Sequence, residues 1–392
     1  SIHVNVAEKI TLDVASCDGG PEKKNRHFEI CRATSPGLED RLCAEVKLKG
    51  FRQPKVVPGG MTMRGGWPEV WRANLWVRGA SRVLARVAQF RAEYLNQLEL
   101  RSKEIPWSEL LKPDVPFQVE VSCSSSRIYH SGAAAERISK AITETLGAPD
   151  SETAPVIVRA RIENNFCTLS LDTSGDLLHR RGHKEAVNRA PMRETMASLF
   201  LRKCGYTGQE PILDPMCGSG TFVIEAAEIA ARLNPGRSRQ FAFERFATFD
   251  SAAWEQMRAV KSQRTPEFHF YGSDRDAGAI AMSKANAERA GVTAYTTFSQ
   301  ATVSDITPPA GPPGLVILNA PYGTRLGDKK KLSALYRALG TRLLEHFKGW
   351  RVGIITTEKS LAHASGLPFL PAGAPIPHGG LKVFLFQTDV LK

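Results

Sequence analysis

The chain predicts an α/β protein in two parts: a doubly wound domain with a mostly parallel sheet, preceded by an α+β region. Three observations predict this. From Ala190 onward, short and wholly apolar strands alternate with helices, the grammar of strands covered on both faces. Before Ala190, amphipathic helices are interleaved among alternating strands, and Asn164-Asn165 joins two of these strands as a turn suited to positive φ. At 392 residues the chain is also too long for one ordinary core. The implied division is a polar N-terminal tail over 1–26, the α+β region over 27–172, a linker over 173–189 and the doubly wound domain over 190–392.

Taken in order, residues 27–34 alternate as a strand, Pro36-Gly37 breaks it, and 38–50 is an amphipathic helix stopped by Gly50. Residues 70–78 are predicted as a strand, and 79–91, with apolar positions at helical spacing, as a helix. A strand over 117–122 precedes a helix over 132–146, and the hairpin pairs 155–161 with 166–172. In the second part, Ile212-Leu213 leads into a Gly-rich turn and a helix over 221–233. Strands follow over 268–273, 315–318, 351–356 and 381–387, with helices over 276–290 and 331–347. An aromatic-rich insertion at about 232–266 separates the first helix from the next strand.

Composition narrows the class. No run approaches the ~18 apolar residues that a membrane helix needs, and residues 1–26 lack the basic-then-apolar pattern of a signal peptide. The net charge of +12 divides into +5 for residues 1–189 and +7 for the rest, so it is a broad field rather than a basic tail. Such a field favours a polyanion, although a merely basic enzyme has the same charge. Seven cysteines, odd in number and without a CxxC, argue against a disulfide framework and a zinc site. No histidine spacing suggests a ligand pair, so no metal is expected, and a cytoplasmic location fits best.

Three motifs carry chemistry, each at a predicted strand end. The first is Asp214-Pro215-Met216-Cys217-Gly218-Ser219-Gly220-Thr221, whose glycines let the backbone turn tightly and approach a ligand. The third glycine of a dinucleotide fingerprint is missing, which disfavours an oxidoreductase, and no GxxxxGK[ST] phosphate loop occurs. Asp214 suits a ligand bearing an ammonium group. The second motif is Gly272-Ser273-Asp274-Arg275-Asp276. Asp274 can accept from both ribose hydroxyls of a nucleoside, and Asp276 is placed to cap the next helix. A pair of capping aspartates is the alternative. The third motif is Asn319-Ala320-Pro321-Tyr322-Gly323, directly after Leu315-Val316-Ile317-Leu318. A side-chain amide and a backbone carbonyl can hold an NH2 group, and a tyrosine can stack on its ring. A proline turn with a buried tyrosine would read the same.

Together, in this order, the three motifs resemble those of class I, Rossmann-like methyltransferases that modify exocyclic amines, whose pattern is D-P-x-C-G-S-G-T followed by N-P-P-Y. The chain departs from it at Ala320. The resemblance extends forward through Phe28-Glu29-Ile30, Ser35-Pro36-Gly37-Leu38-Glu39, Arg72-Ala73-Asn74-Leu75-Trp76 and Ser126-Arg127-Ile128-Tyr129-His130-Ser131-Gly132, which look like a ferredoxin-like segment plus a THUMP domain. Asp172-Thr173-Ser174-Gly175-Asp176 with His179-Arg180-Arg181-Gly182 resembles the junction that follows, and His378-Gly379-Gly380-Leu381 a late segment. Over about 27–388 the chain is similar to THUMP-domain guanine-N2 RNA methyltransferases, relatives of which carry the label N6-adenine-specific DNA methylase.

That resemblance implies S-adenosyl-L-methionine as cofactor and RNA as partner, with ribosomal RNA preferred over transfer RNA. It implies a catalytic set of Asn319, Ala320, Pro321 and Tyr322. The implied cofactor contacts are Pro191, Glu194, Thr195, Asp214, Met216, Cys217, Gly218, Ser219, Gly220, Thr221, Asp274, Arg275, Thr302 and Asn319. Thr302 stands where the family commonly has an acidic residue, with Asp305 nearby. Candidate RNA contacts are Arg72, Arg78, Arg82, Arg127, Tyr129 and His130, with Arg86 and Arg91 in the same basic stretch. Cys217 sits inside the cofactor turn and is read as structural rather than nucleophilic. The expected product is N2-methylguanosine in 23S-type RNA. Transfer RNA, an adenine-N6 product and an RNA-binding protein with a decayed site are the alternatives. Because proline stiffens its own φ and its predecessor, Ala320→Pro is expected to speed methyl transfer.

Overall fold

Two seven-stranded sheets organise the described residues of the chain. The computed structural model describes residues 28–34, 36–183, 192–322, 326–378 and 380–392. The predicted tail, most of the second half of the predicted linker and Pro191 therefore lie outside the described residues. Contacts divide the chain into two units. The first takes residues up to Thr34, Cys43–Leu178 and Arg239–Val260; the second takes 35–42, His179–Ser238 and Lys261–Lys392.

In the first unit the strands are β1 (Phe28–Ala33), β2 (Arg52–Val57), β3 (Gly60–Gly65), β4 (Arg82–Arg91), β5 (Phe117–Ser124), β6 (Val156–Glu163) and β7 (Phe166–Asp172), ordered β2-β3-β1-β4-β7-β6-β5. All pairs are antiparallel except β5 with β6. That parallel pair needs a crossover, supplied by α5 (Ser131–Leu146), which ends on left-handed Gly147. The other helices are α2 (Trp67–Trp76), α3 (Leu95–Lys103), the single turn α4 (Trp107–Leu110) and, from Cys43 on, α1 (Glu39–Leu48), whose residues 39–42 fall in the second unit. Asn164 and Asn165 both have positive φ, 52° and 65°, as a primed turn requires.

Two expectations are reversed here. Residues 70–78 are not a strand but the body and end of α2, which buries Val70, Trp71, Ala73, Asn74 and Leu75. Residues 79–91 are not a helix but contain β4, which buries Val83, Ala85 and Val87 on alternate positions. The β4–β7 register shifts between Arg86 and Ala88. This irregularity buries Val87 and Ala88 together and breaks the alternation, so the sequence shows an apparent helical spacing.

The insertion also behaves differently from its place in the chain. The contiguous division puts it in the second part, yet Arg239–Val260 packs within the first unit. It carries α8 (Ser251–Ala259), capped by Asp250, and a short 3-10 turn over Ala242–Arg245. Trp71 stacks on Phe243 with centroids 6.1 Å apart, and Trp254 meets Trp71 and Phe243 edge-on at 6.4 and 4.9 Å. Aromatic pairs of this kind contribute about 0.5–1.5 kcal/mol each beyond their buried area. The Arg239 guanidinium donates to the carbonyls of Ser174, Asp176 and Leu177, which fixes the start of the segment.

In the second unit the strands are β8 (Ile212–Asp214), β9 (Phe270–Asp274), β10 (Thr296–Gln300), β11 (Leu315–Asn319), β12 (Arg351–Thr356), β13 (Ile376–His378) and β14 (Leu381–Gln387). The order is β10-β9-β8-β11-β12-β14-β13, parallel from β10 to β12 and antiparallel at β14 and β13. The helices are α6 (Glu194–Lys203), α7 (Thr221–Ala231), α9 (Ala277–Ala290), α10 (Leu326–His346) and α11 (Lys359–Ala364). Chain order runs one way from β8 through β9 to β10 and the other way from β11 onward. The gap between β8 and β11 is thus a topological switch point, where open α/β sheets bind ligands beyond the strands' carboxyl ends. The core behind it includes Val316, Leu318, Tyr336, Leu343, Phe347 and Ile354.

Candidate active site

Beyond that switch point lies a cavity of about 590 Å³, within the range of small-molecule sites. All three motifs reach it. Asp214, Met216, Cys217, Gly218, Ser219 and Thr221 line it from β8 and the turn into α7; Asp274 and Arg275 line it from β9; Asn319, Ala320, Pro321 and Tyr322 line it from β11. The two strands, three and five residues long, run parallel and so present their carboxyl ends to the same edge of the sheet.

The Gly-rich turn is held from behind. Gly218 and Gly220 adopt positive φ, 54° and 87°, which few other residues tolerate. From α9, Ser283 Oγ donates to the Gly218 carbonyl (2.7 Å) and Asn286 Nδ2 to the Ser219 carbonyl (3.0 Å). A Cβ at Gly220 would press within 3.1 Å of Ser283 Oγ. Ser283 and Asn286 escaped the sequence reading. Their three-residue spacing, which puts both on one face of a helix, was the available signal.

The acidic groups are arranged around this turn. Asp274 accepts from the Gly218 amide at 3.1 Å through one oxygen and from the Asp276 amide at 3.0 Å through the other. Each carboxylate oxygen has two acceptor sites, so the group retains capacity for hydroxyl donors. Asp276 caps α9 by accepting from the Gly278 amide at 2.9 Å, as its position predicts. Asp214 is buried and accepts from the Met216 amide at 3.0 Å. Burial, reinforced by the Asp274 charge, outweighs that hydrogen bond and pushes its pKa up to about 8. Burial also pushes the Cys217 thiol up, so it stays protonated at neutral pH.

The segment from Asn319 to Tyr322 is firmer than its sequence suggests. The Ala320 amide donates to the Ile355 carbonyl at 3.0 Å, extending the β11–β12 ladder by one residue. This is a bond proline cannot make, so the missing proline does not leave the position loose. Burial raises the Tyr322 phenol, which is half-buried beside the core.

Other sequence candidates lie elsewhere. Glu194 and Thr195 open α6 and are buried, and neither they nor Gly220 are among the lining residues; Met192 is. Thr302 lines the cavity, and its hydroxyl donates to Asp305 at 2.9 Å, which gives Asp305 a turn-holding role. Leu335 and Ala338 of α10 also line the cavity and were not foreseen.

Among the candidate RNA contacts in the first unit, Arg78 is 5% exposed, so its guanidinium is not presented to a phosphate. Arg82 lies 3.5 Å from buried Asp172, and Arg72 lies 3.6 Å from Glu69. Arg127 donates to the Tyr94 hydroxyl at 2.7 Å and lies over its ring. Tyr129 is 84% exposed, while His130 Nδ1 accepts from the Ala133 amide and caps α5.

Comparison with known proteins agrees with this architecture. The RMKL-like methyltransferase domain matches residues 181–367, the RlmL ferredoxin-like domain 29–84 and the THUMP domain 92–172. A putative RNA methyltransferase of Synechocystis sp. is 32% identical over 365 residues, covering 90% of this chain and 94% of that protein. The ribosomal RNA large subunit methyltransferase K/L of Vibrio campbellii is 33% identical over 84% of this chain, which spans only 48% of that longer protein. A putative methyltransferase solved in complex with SAH superposes with a TM-score of 0.81 at 26% identity, covering 93% of this chain and 99% of that one. With its Gly-rich turn, its strand-end acids and the segment from Asn319 to Tyr322 in one cavity, the chain belongs to the THUMP-domain class I S-adenosylmethionine-dependent RNA methyltransferases.

Proposed function

We propose that the enzyme methylates the exocyclic N2 amine of a guanosine in ribosomal RNA of the large-subunit, 23S type. The observation that carries the chemistry is the placement of Asn319 and Ala320 at the carboxyl end of β11, in the same cavity as Asp214 and Asp274. The target base leaves its stack and enters beside Tyr322, whose ring packs on it. The Asn319 side chain and the Ala320 carbonyl accept from the amine and aim its lone pair. S-adenosylmethionine, when bound, supplies an electrophilic methyl group. On the cofactor side, Asp274 accepts from the ribose hydroxyls, Asp214 faces the charged end, and Met216 to Thr221, Arg275 and Thr302 complete the wall.

Rate then comes mostly from positioning. The proton leaves after transfer, so no strong base is needed. The raised Cys217 thiol supports direct displacement at nitrogen over a thiolate adduct on carbon. The choice of ribosomal RNA follows the Vibrio campbellii relative's name. The exposed Tyr129 and the Arg127–Tyr94 pair support RNA contact by the first unit.

The test is transfer of labelled methyl to purified ribosomal and transfer RNA, followed by nucleoside analysis. N2-methylguanosine in the large ribosomal RNA is expected. N6-methyladenosine would reassign the base, and label confined to transfer RNA would reassign the substrate.

A further inference from the structure

We infer that Tyr336 is a positioning residue for methyl transfer: with Thr356 it clamps the backbone of the amine-binding loop. The inference rests on the proposed role of that loop. Tyr336 lies on α10 and is 1% exposed, in an otherwise apolar core. Its hydroxyl donates to the Pro321 carbonyl at 2.9 Å and lies 2.9 Å from Thr356 Oγ1 at the end of β12. Thr356 is wholly buried. Burial pushes the Tyr336 phenol up to about 12, so it remains a donor throughout the working range.

The bonded carbonyl belongs to Pro321, between the Ala320 carbonyl that accepts from the amine and the Tyr322 ring that packs on the base. Proline has no amide hydrogen, so at this residue the loop offers the protein only its carbonyl. The Ala320 amide is tied to Ile355 and the Pro321 carbonyl to Tyr336, whose partner Thr356 directly follows Ile355 in β12. The loop is therefore pinned at two successive residues, one from the end of β12 and one from α10, whose tyrosine meets Thr356 on the same strand. Removing the second pin leaves the turn formed and lets the peptide ahead of Tyr322 rotate, which misaligns acceptor and ring together.

Tyr336→Phe keeps the packed ring and removes the hydroxyl; Thr356→Val removes its partner and preserves shape. The expected result for Tyr336→Phe is a kcat about tenfold to a hundredfold lower, with cofactor Kd and RNA KM within about twofold of wild type. Amide exchange in a peptide spanning 319–322 should quicken by about tenfold, with exchange in α7 and β9 unchanged. Thr356→Val should show the same pattern more weakly, and it decides the matter if Tyr336→Phe does not fold. Unchanged exchange in 319–322 overturns the inference, as does a parallel loss of kcat, cofactor affinity and thermal stability, which marks a merely structural role. If the wild-type protein methylates no RNA, the functional reading fails, while the exchange comparison still decides the clamp.

Discussion

Replacing Ala320 by proline tests how the loop after β11, the proposed amine-binding loop, is held. By motif alone the change restores the family's paired prolines and should quicken transfer. The structure reverses that expectation, because the Ala320 amide donates to the Ile355 carbonyl at 3.0 Å and both residues are buried. Proline removes the donor and strands a buried acceptor, at about 1–3 kcal/mol. Restriction of the unfolded chain returns only about 0.4–1 kcal/mol. The net is a loss of up to about 2.6 kcal/mol, which lowers the melting temperature by up to about 10 °C for a unit of this size. The methyl-transfer rate should not rise, since the position is already fixed by a bond. Single-turnover transfer with one RNA and thermal unfolding, run on both forms, are the assays. A proline variant that transfers faster and melts no lower would refute the reasoning and reinstate the looser reading of the loop.

Three further outcomes are expected. Asp274→Ala should weaken S-adenosylmethionine binding by removing the ribose acceptor and freeing the Gly218 amide; unchanged affinity in calorimetry would count against this assignment. Asp214 has a folded pKa of about 8 against an ordinary value of 3.8, so between those pH values the folded protein holds a proton the unfolded chain lacks. Its contribution is full below the ordinary value and is lost as pH rises through about 8; Asp214→Asn should flatten that decline in melting temperature, and equal slopes would contradict the raised pKa. RNA affinity should fall steeply with salt through backbone contacts, and Tyr129→Ala should weaken RNA binding without altering cofactor affinity; a salt-independent affinity, or an unaffected Tyr129 variant, would remove that part of the proposal.

Local pattern alone determined the parallel sheet and its three loaded strand ends. Apolar runs such as Leu315–Leu318 have one stable place, between covering helices. Glycines at 218 and 220 suit a tight turn at positive φ. The Asn164-Asn165 hairpin and the Asp276 cap were legible for the same reason, since each depends on a residue's own backbone and its near neighbours. What failed depended on partners distant in the chain. The β4 irregularity arises against β7 and disguised a strand as a helix. Trp71 belongs to a helix because Phe243 and Trp254, some 170 to 180 residues further on, cover it. The Ile355 acceptor that fixes Ala320, the Tyr336 hydroxyl on Pro321 and the α9 side chains behind the Gly-rich turn likewise come from elements that meet only in the folded sheet. A residue's type and spacing thus announce what it can donate or accept. Which group it meets is decided by tertiary packing, because a hydrogen bond acts over about 3 Å whatever the separation in sequence.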